Sequence, residues 1–173
     1  MTKNLVLTGM MGVGKTTVGK KLASKLSFNF IDIDNLIEAK EKTSIANIFK
    51  IKGESYFRLL ESKITLNQLD LKNTVISLGG GAFLNNLIRK KVKSSSVSFW
   101  LDVSLERLIR RLSKSKKRPL LIKKNLGKTI SKIYLARRKT YNLSDYRIKC
   151  ESLKIDEIVD KIENLYEKQR DKI

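Results

Sequence analysis

The sequence predicts an α/β fold in which a five-stranded parallel sheet is flanked by helices, and three observations lead there. Five short β-favouring runs, near residues 5–7, 28–34, 74–78, 97–101 and 146–150, alternate with segments whose apolar residues recur every three or four positions. The first run leads straight into Gly9-Met10-Met11-Gly12-Val13-Gly14-Lys15-Thr16, which fits the phosphate-cradling pattern G-x-x-x-x-G-K-[ST]. Strands that alternate with helices join through right-handed crossovers, which gives parallel neighbours and gathers ligands at the strands' carboxyl ends.

The first element is the apolar run Leu5-Val6-Leu7, and the helix after the loop is marked by Val18, Leu22 and Leu26. Between them the glycines let the backbone from Gly12, Val13 and Gly14 through Thr17 curl until successive N–H groups face one anion, with the helix N-terminus adding positive charge. Lys15 then reaches the outer phosphates, and Thr16 offers a hydroxyl to Mg²⁺.

The second strand is read over Phe28 to Asp34 and ends Asp32-Ile33-Asp34. On a strand, side chains two apart share a face, so both carboxylates would lean into one site. One can serve Mg²⁺ while the other accepts or orients a substrate hydroxyl. A strand-end turn with Asp34 capping the next helix is the alternative. The third strand ends Ser77-Leu78-Gly79-Gly80-Gly81 and offers no acid for a metal, unlike motor ATPases and helicases, and no N-K-x-D occurs. A small phosphotransferase is what remains.

Three consecutive glycines after a strand, Gly79 to Gly81, suit a ligand that must approach the backbone; a loose turn is the plainer reading. Arg58 and Glu61 lie three apart on a helical stretch after Gly53, flanked by Phe49 and Phe57. A carboxylate that aims an arginine suits capture of an anionic substrate, although the same spacing also gives ordinary surface ion pairs. The stripe Leu105, Leu108, Ile109, Leu112 follows a candidate Ser104 cap, Arg137 stands on a helical stretch from Lys132 to Leu143, and Ile155, Ile158, Val159, Ile162 and Leu165 mark the last helix.

Composition sets the outer limits. A length of 173 residues suits one domain spanning 1–173, and 41 % hydrophobic residues with one proline describe an ordinary globular chain. Cys150 is the only cysteine and histidine is absent, which excludes an internal disulfide, a Ser-His-Asp triad and histidine-bound zinc. The net charge of +20 invites nucleic acid. Most of the lysines are scattered without interleaved aromatics, and the crowded segment from Arg107 to Arg118 suits a polyphosphate equally well. No apolar run reaches a membrane span, and the opening run breaks into the phosphate loop where a leader would need to be cleaved. The expectation is a cytoplasmic monomer that engages neither membrane nor nucleic acid.

Taken together, these residues resemble the shikimate kinase family. The likeness runs in order from Leu5 to Leu143: GMMGVGKTT, DID followed by IE at Ile37-Glu38, GESYFRLLE at Gly53 to Glu61, LGGG at Leu78 to Gly81, KRPLL at Lys117 to Leu121, and Arg137 four before Tyr141. It implies a P-loop, nucleoside-monophosphate-kinase-like fold, with a substrate flap at about 34–61 and a lid at about 114–124. It implies ATP-dependent phosphorylation of the 3-hydroxyl of shikimate, on the route to aromatic amino acids. By position, Asp34, Arg58, Gly80 and Arg137 would hold shikimate, with both arginines and the glycine N–H on its carboxylate; Asp32 and Thr16 would serve Mg²⁺. Lys15 and Arg118 would serve the transferring phosphate, and Arg111 would stack on adenine. Arg118 precedes Pro119, which favours an extended backbone suited to a loop arginine. Two positions depart from the family: Lys139 stands where a proline is common, which leaves the aim of Arg137 open, and residues 151–155 match no pattern and receive no role.

Overall fold

Asn4–Thr8 forms β1, buried at every position, at the centre of a sheet whose order is β2-β3-β1-β4-β5. The partners are β2 (Asn29–Asp32), β3 (Thr74–Ser77), β4 (Ser96–Asp102) and β5 (Tyr146–Lys149), and all four pairings are parallel. The computed structural model describes residues 3–113 and 125–170. The expected lid segment, with Arg118, lies outside the described residues.

The chain leaves β1 through the loop that ends at Gly14, enters helix α1 (Lys15–Leu26), and returns through β2. It then passes through α2 (Ile33–Glu41) and α3 (Ile45–Gln68) to β3, and through α4 (Asn86–Ser95) across to β4 on the other side of β1. Helices α5 (Leu105–Ser113) and α6 (Leu126–Tyr141) precede β5, and α7 (Ile155–Arg170) follows it. Strand order thus reverses around β1, the switch point at which α/β sheets bind ligands. Leu5, Leu7, Val75, Ile76, Phe99 and Trp100 are almost wholly buried, and α1 packs against α7, α4 against β4, and α5 against α6. Among the described residues no helix is long and apolar enough to cross a membrane.

The second strand is shorter than its sequence suggests. It ends at Asp32, whose carboxylate accepts a hydrogen bond from Asn35 N at 3.3 Å and so caps α2. Ile33 and Ile37, four apart, are both wholly buried, so helical period rather than strand alternation governs this segment. Asp34 therefore lies in the first turn of α2, and the expectation that it shares a strand face with Asp32 is wrong. The alternative that Asp34 caps the helix is also wrong, because the cap is Asp32 and Asp34 lies inside the helix. Ser104 caps α5 as expected, accepting from Arg107 N at 3.3 Å.

A polar cluster ties the far side of the sheet together. Asp102, at the end of β4, accepts from Arg147 Nε at 2.9 Å and Nη2 at 2.6 Å and from the Tyr134 hydroxyl at 3.2 Å. Its backbone carbonyl accepts from Cys150 N. Cys150 is 4 % exposed, and burial pushes its thiol up to about 11. The native protein is expected to leave Cys150 unmodified by an aromatic disulfide reagent at pH 8 and to react stoichiometrically once denatured, as read by thiolate absorbance.

Candidate active site

The phosphate loop needs glycine where side chains would collide. Gly9 has φ +132°, and a methyl on it would lie 2.7 Å from the Leu101 carbonyl oxygen and 3.3 Å from Trp100 Cδ1. The loop therefore rests on the end of β4, and no larger residue can stand there without moving it. Lys15, nearly buried, folds back over the loop and donates from Nζ to the carbonyls of Gly9 at 2.9 Å and Met10 at 3.0 Å. Arg111 reaches in from α5 and donates to the carbonyls of Gly12 at 3.3 Å and Val13 at 3.2 Å. Gly12, Val13, Gly14, Lys15, Thr16, Thr17 and Arg111 are thus gathered at one helix N-terminus, where backbone N–H groups and positive charge favour a polyphosphate.

Thr16 and Asp32 meet: the Thr16 hydroxyl donates to Asp32 Oδ2 at 2.6 Å. No group of three or more metal-binding side chains exists among the described residues. Two hard oxygens beside a phosphate loop nevertheless fit Mg²⁺, which is commonly held by one or two protein oxygens together with water and phosphate.

The acceptor side is assembled around Gly79-Gly80-Gly81. A methyl on Gly79 would lie 2.5 Å from Glu61 Oε1 and 2.7 Å from Asp34 Oδ1, so two carboxylates press against this glycine. A methyl on Gly81 would lie 2.5 Å from Arg58 Nη1, and one on Gly80 would lie 3.4 Å from Met11 N in the phosphate loop and 3.5 Å from Arg137 Nη1. The turn thus stands between the two arginines and against the phosphate loop. A side chain at Gly79 or Gly81 would displace these carboxylates and the Arg58 guanidinium, whereas Gly80 sits at ordinary contact distance from its neighbours.

Arg58 donates to Glu61 Oε2 at 2.8 Å and to Glu54 Oε1 at 3.1 and 3.2 Å, and its guanidinium lies 5.1 Å from the Phe57 ring and 5.9 Å from the Phe49 ring. Glu61 is only 3 % exposed, which removes the pair from the class of ordinary surface bridges. Burial pushes the Glu61 carboxyl above the usual range, while Arg58 pulls it back down. Arg137 donates to the Gly80 carbonyl at 3.0 Å from α6, which runs unbroken through Lys139.

Two features of the site had no assignment from sequence. Glu54 completes the support of Arg58 through an i,i+4 spacing that was present in the GESYFRLLE segment. Glu151 accepts from Ser104 N and Oγ at 2.9 Å, and Arg107 donates to the Glu151 carbonyl, which anchors the loop after β5 to the start of α5. These partners lie more than forty residues apart, and no local pattern joins them.

The comparisons with known proteins are consistent with one another. A family model described as shikimate kinase matches residues 11–167. A shikimate kinase from Caldanaerobacter subterraneus is 42 % identical over 164 residues, covering 95 % of this chain and 96 % of the relative. One from Persephonella marina is 44 % identical over 160 residues, covering 92 % and 96 %. The solved structure of shikimate kinase from Acinetobacter baumannii in complex with shikimate superposes with TM-score 0.91 at 31 % identity, covering 96 % of this chain and 94 % of that one. A gluconokinase from Sinorhizobium meliloti, at 16 % identity and TM-score 0.61, shares the fold alone.

Proposed function

The chain belongs to the shikimate kinase family, and on that premise we propose that it transfers the terminal phosphoryl group of ATP to the 3-hydroxyl of shikimate. The observation that carries this reading is the convergence of Arg58 and Arg137 on the glycine turn that abuts the phosphate loop. Two guanidiniums around backbone N–H groups suit a carboxylate, and the adjoining loop sets that carboxylate a short distance from a polyphosphate.

In this mechanism the carboxylate of shikimate docks between Arg58, Arg137 and the Gly80 N–H, within the backbone cradle of Gly79 and Gly81. The ring is thereby turned so that its 3-hydroxyl faces Asp34. The Asp34 carboxylate orients that hydroxyl and accepts its proton late, as the oxygen forms its bond to phosphorus and the bond to ADP breaks. Lys15 holds the phosphates and meets charge that develops on them, Arg111 flanks the nucleotide, and Arg118, from the sequence alone, adds charge at the transferring group. Thr16 and Asp32 would hold Mg²⁺, which when bound neutralises phosphate charge. The chain is read as one kinase domain, with residues 34–61 as the substrate flap and 114–124 as the lid, acting as a cytoplasmic monomer.

The test is an acceptor panel. Purified protein with MgATP is expected to form a phosphorylated product from shikimate and not from gluconate or nucleoside monophosphates, as read by mass spectrometry. Preference for either of the other acceptors would overturn the reading. Arg58→Ala is expected to lose about 2 kcal/mol or more in kcat/KM for shikimate, because it removes a charged partner of the substrate and strands the buried Glu61. Steady-state kinetics would show the loss mainly in KM for shikimate.

A further inference from the structure

We infer that Tyr141 is a positioning residue for the acceptor: its buried hydroxyl holds the Gly80 carbonyl, so that the glycine turn and Arg137 are set for an incoming carboxylate. This rests on the reading of the acceptor site given above and adds a residue to it.

Tyr141 is the last residue of α6, one turn beyond Arg137, and it is wholly buried. Its hydroxyl donates to the Gly80 carbonyl at 2.5 Å, the same oxygen that accepts from Arg137 Nη1 at 3.0 Å. The ring is fixed on two other sides: Trp100 of β4 lies 6.0 Å away between centroids, and Met10 Sδ of the phosphate loop lies 3.8 Å from the hydroxyl. Burial pushes the phenol above its ordinary value, with Arg137 pulling the other way, so the hydroxyl keeps its proton and remains a donor near neutral pH.

The consequence follows from peptide geometry. In a trans peptide the carbonyl and the next N–H point in opposite directions, and no cis peptide is present among the described residues. Anchoring the Gly80 carbonyl on α6 therefore sets the direction of the Gly81 N–H, in the cradle next to the Gly80 N–H assigned to the carboxylate, and Gly81 is the glycine packed beneath the Arg58 guanidinium. Glycines have no side chain to fix their own rotation, so the anchor must come from elsewhere. Tyr141 also changes what Arg137 can do. With the carbonyl already satisfied by a phenol, the guanidinium can turn its donors to a substrate anion without stranding a buried acceptor.

The test is Tyr141→Phe, which keeps the ring and removes the bond. Tyr166→Phe is the matched control, because the buried Tyr166 hydroxyl likewise donates to a backbone carbonyl, that of Lys3 at 2.6 Å, far from the acceptor turn. Tyr141→Phe is expected to raise KM for shikimate by roughly 5- to 30-fold while KM for MgATP stays within about twofold. Tyr166→Phe is expected to lower thermal stability and leave both constants unchanged. Arg137→Lys, made alone and together with Tyr141→Phe, is expected to show less-than-additive losses, since both side chains act through one carbonyl. The inference is overturned if Tyr141→Phe leaves KM for shikimate unchanged, or if it merely lowers stability as the control does. A wild type that turns over no shikimate would instead overturn the functional reading on which this one stands.

Discussion

Asp34→Asn is expected to lower shikimate-dependent kcat by roughly 10²- to 10⁴-fold, with the affinity for MgATP nearly unchanged. The substitution keeps the size of the side chain and removes a carboxylate that can accept a proton. Two acids face Gly79: Glu61 is buried and accepts a 2.8 Å hydrogen bond from Arg58, and Asp34 stands in the first turn of α2. Glu61 is the acid that aims an arginine, and the proposed function gives Asp34 the substrate hydroxyl. Single-turnover rates, with circular dichroism to confirm folding, would check the prediction, and an Asn variant within tenfold of wild type would contradict it.

The second large effect is expected at the phosphate loop. Lys15→Ala is predicted to reduce kcat/KM by roughly 10²- to 10³-fold, the range seen when one preorganised electrostatic contact is removed from a site of developing charge. Lys15 is 8 % exposed and held over the loop by the Gly9 and Met10 carbonyls, so its charge is placed before any phosphate arrives. Nucleotide binding is expected to weaken less than turnover, because the backbone N–H groups and Arg111 remain. The chain's single tryptophan, Trp100, has Cδ1 facing Gly9, and its fluorescence is therefore a direct reporter of nucleotide binding in the variant.

What could be read from sequence was what neighbouring residues encode among themselves. The loop from Gly9 to Thr16 carries its own geometry, Arg58 and Glu61 meet because helix period places i and i+3 together, and the five strand signals give the sheet. Strand alternation puts Asp34 on one face with Asp32, whereas the Asp32 cap and the Ile33–Ile37 spacing make that segment helical. The contacts that escaped were those joining separate elements: Tyr141 to Gly80, Asp102 to Arg147 and Tyr134, and Ser104 to Glu151. Each pairs an ordinary polar residue with a partner 32 to 61 positions away, a distance over which no period or turn preference carries information.

In the proposed function the arginine-flanked glycine turn delivers shikimate to the phosphate loop. The measurement that tests it most directly is ADP release by the purified protein with MgATP, in the presence and absence of shikimate. Release that is strongly accelerated by shikimate, and lost in Asp34→Asn, is the predicted result. Release that is equally slow with and without shikimate, while nucleotide still binds, would contradict it.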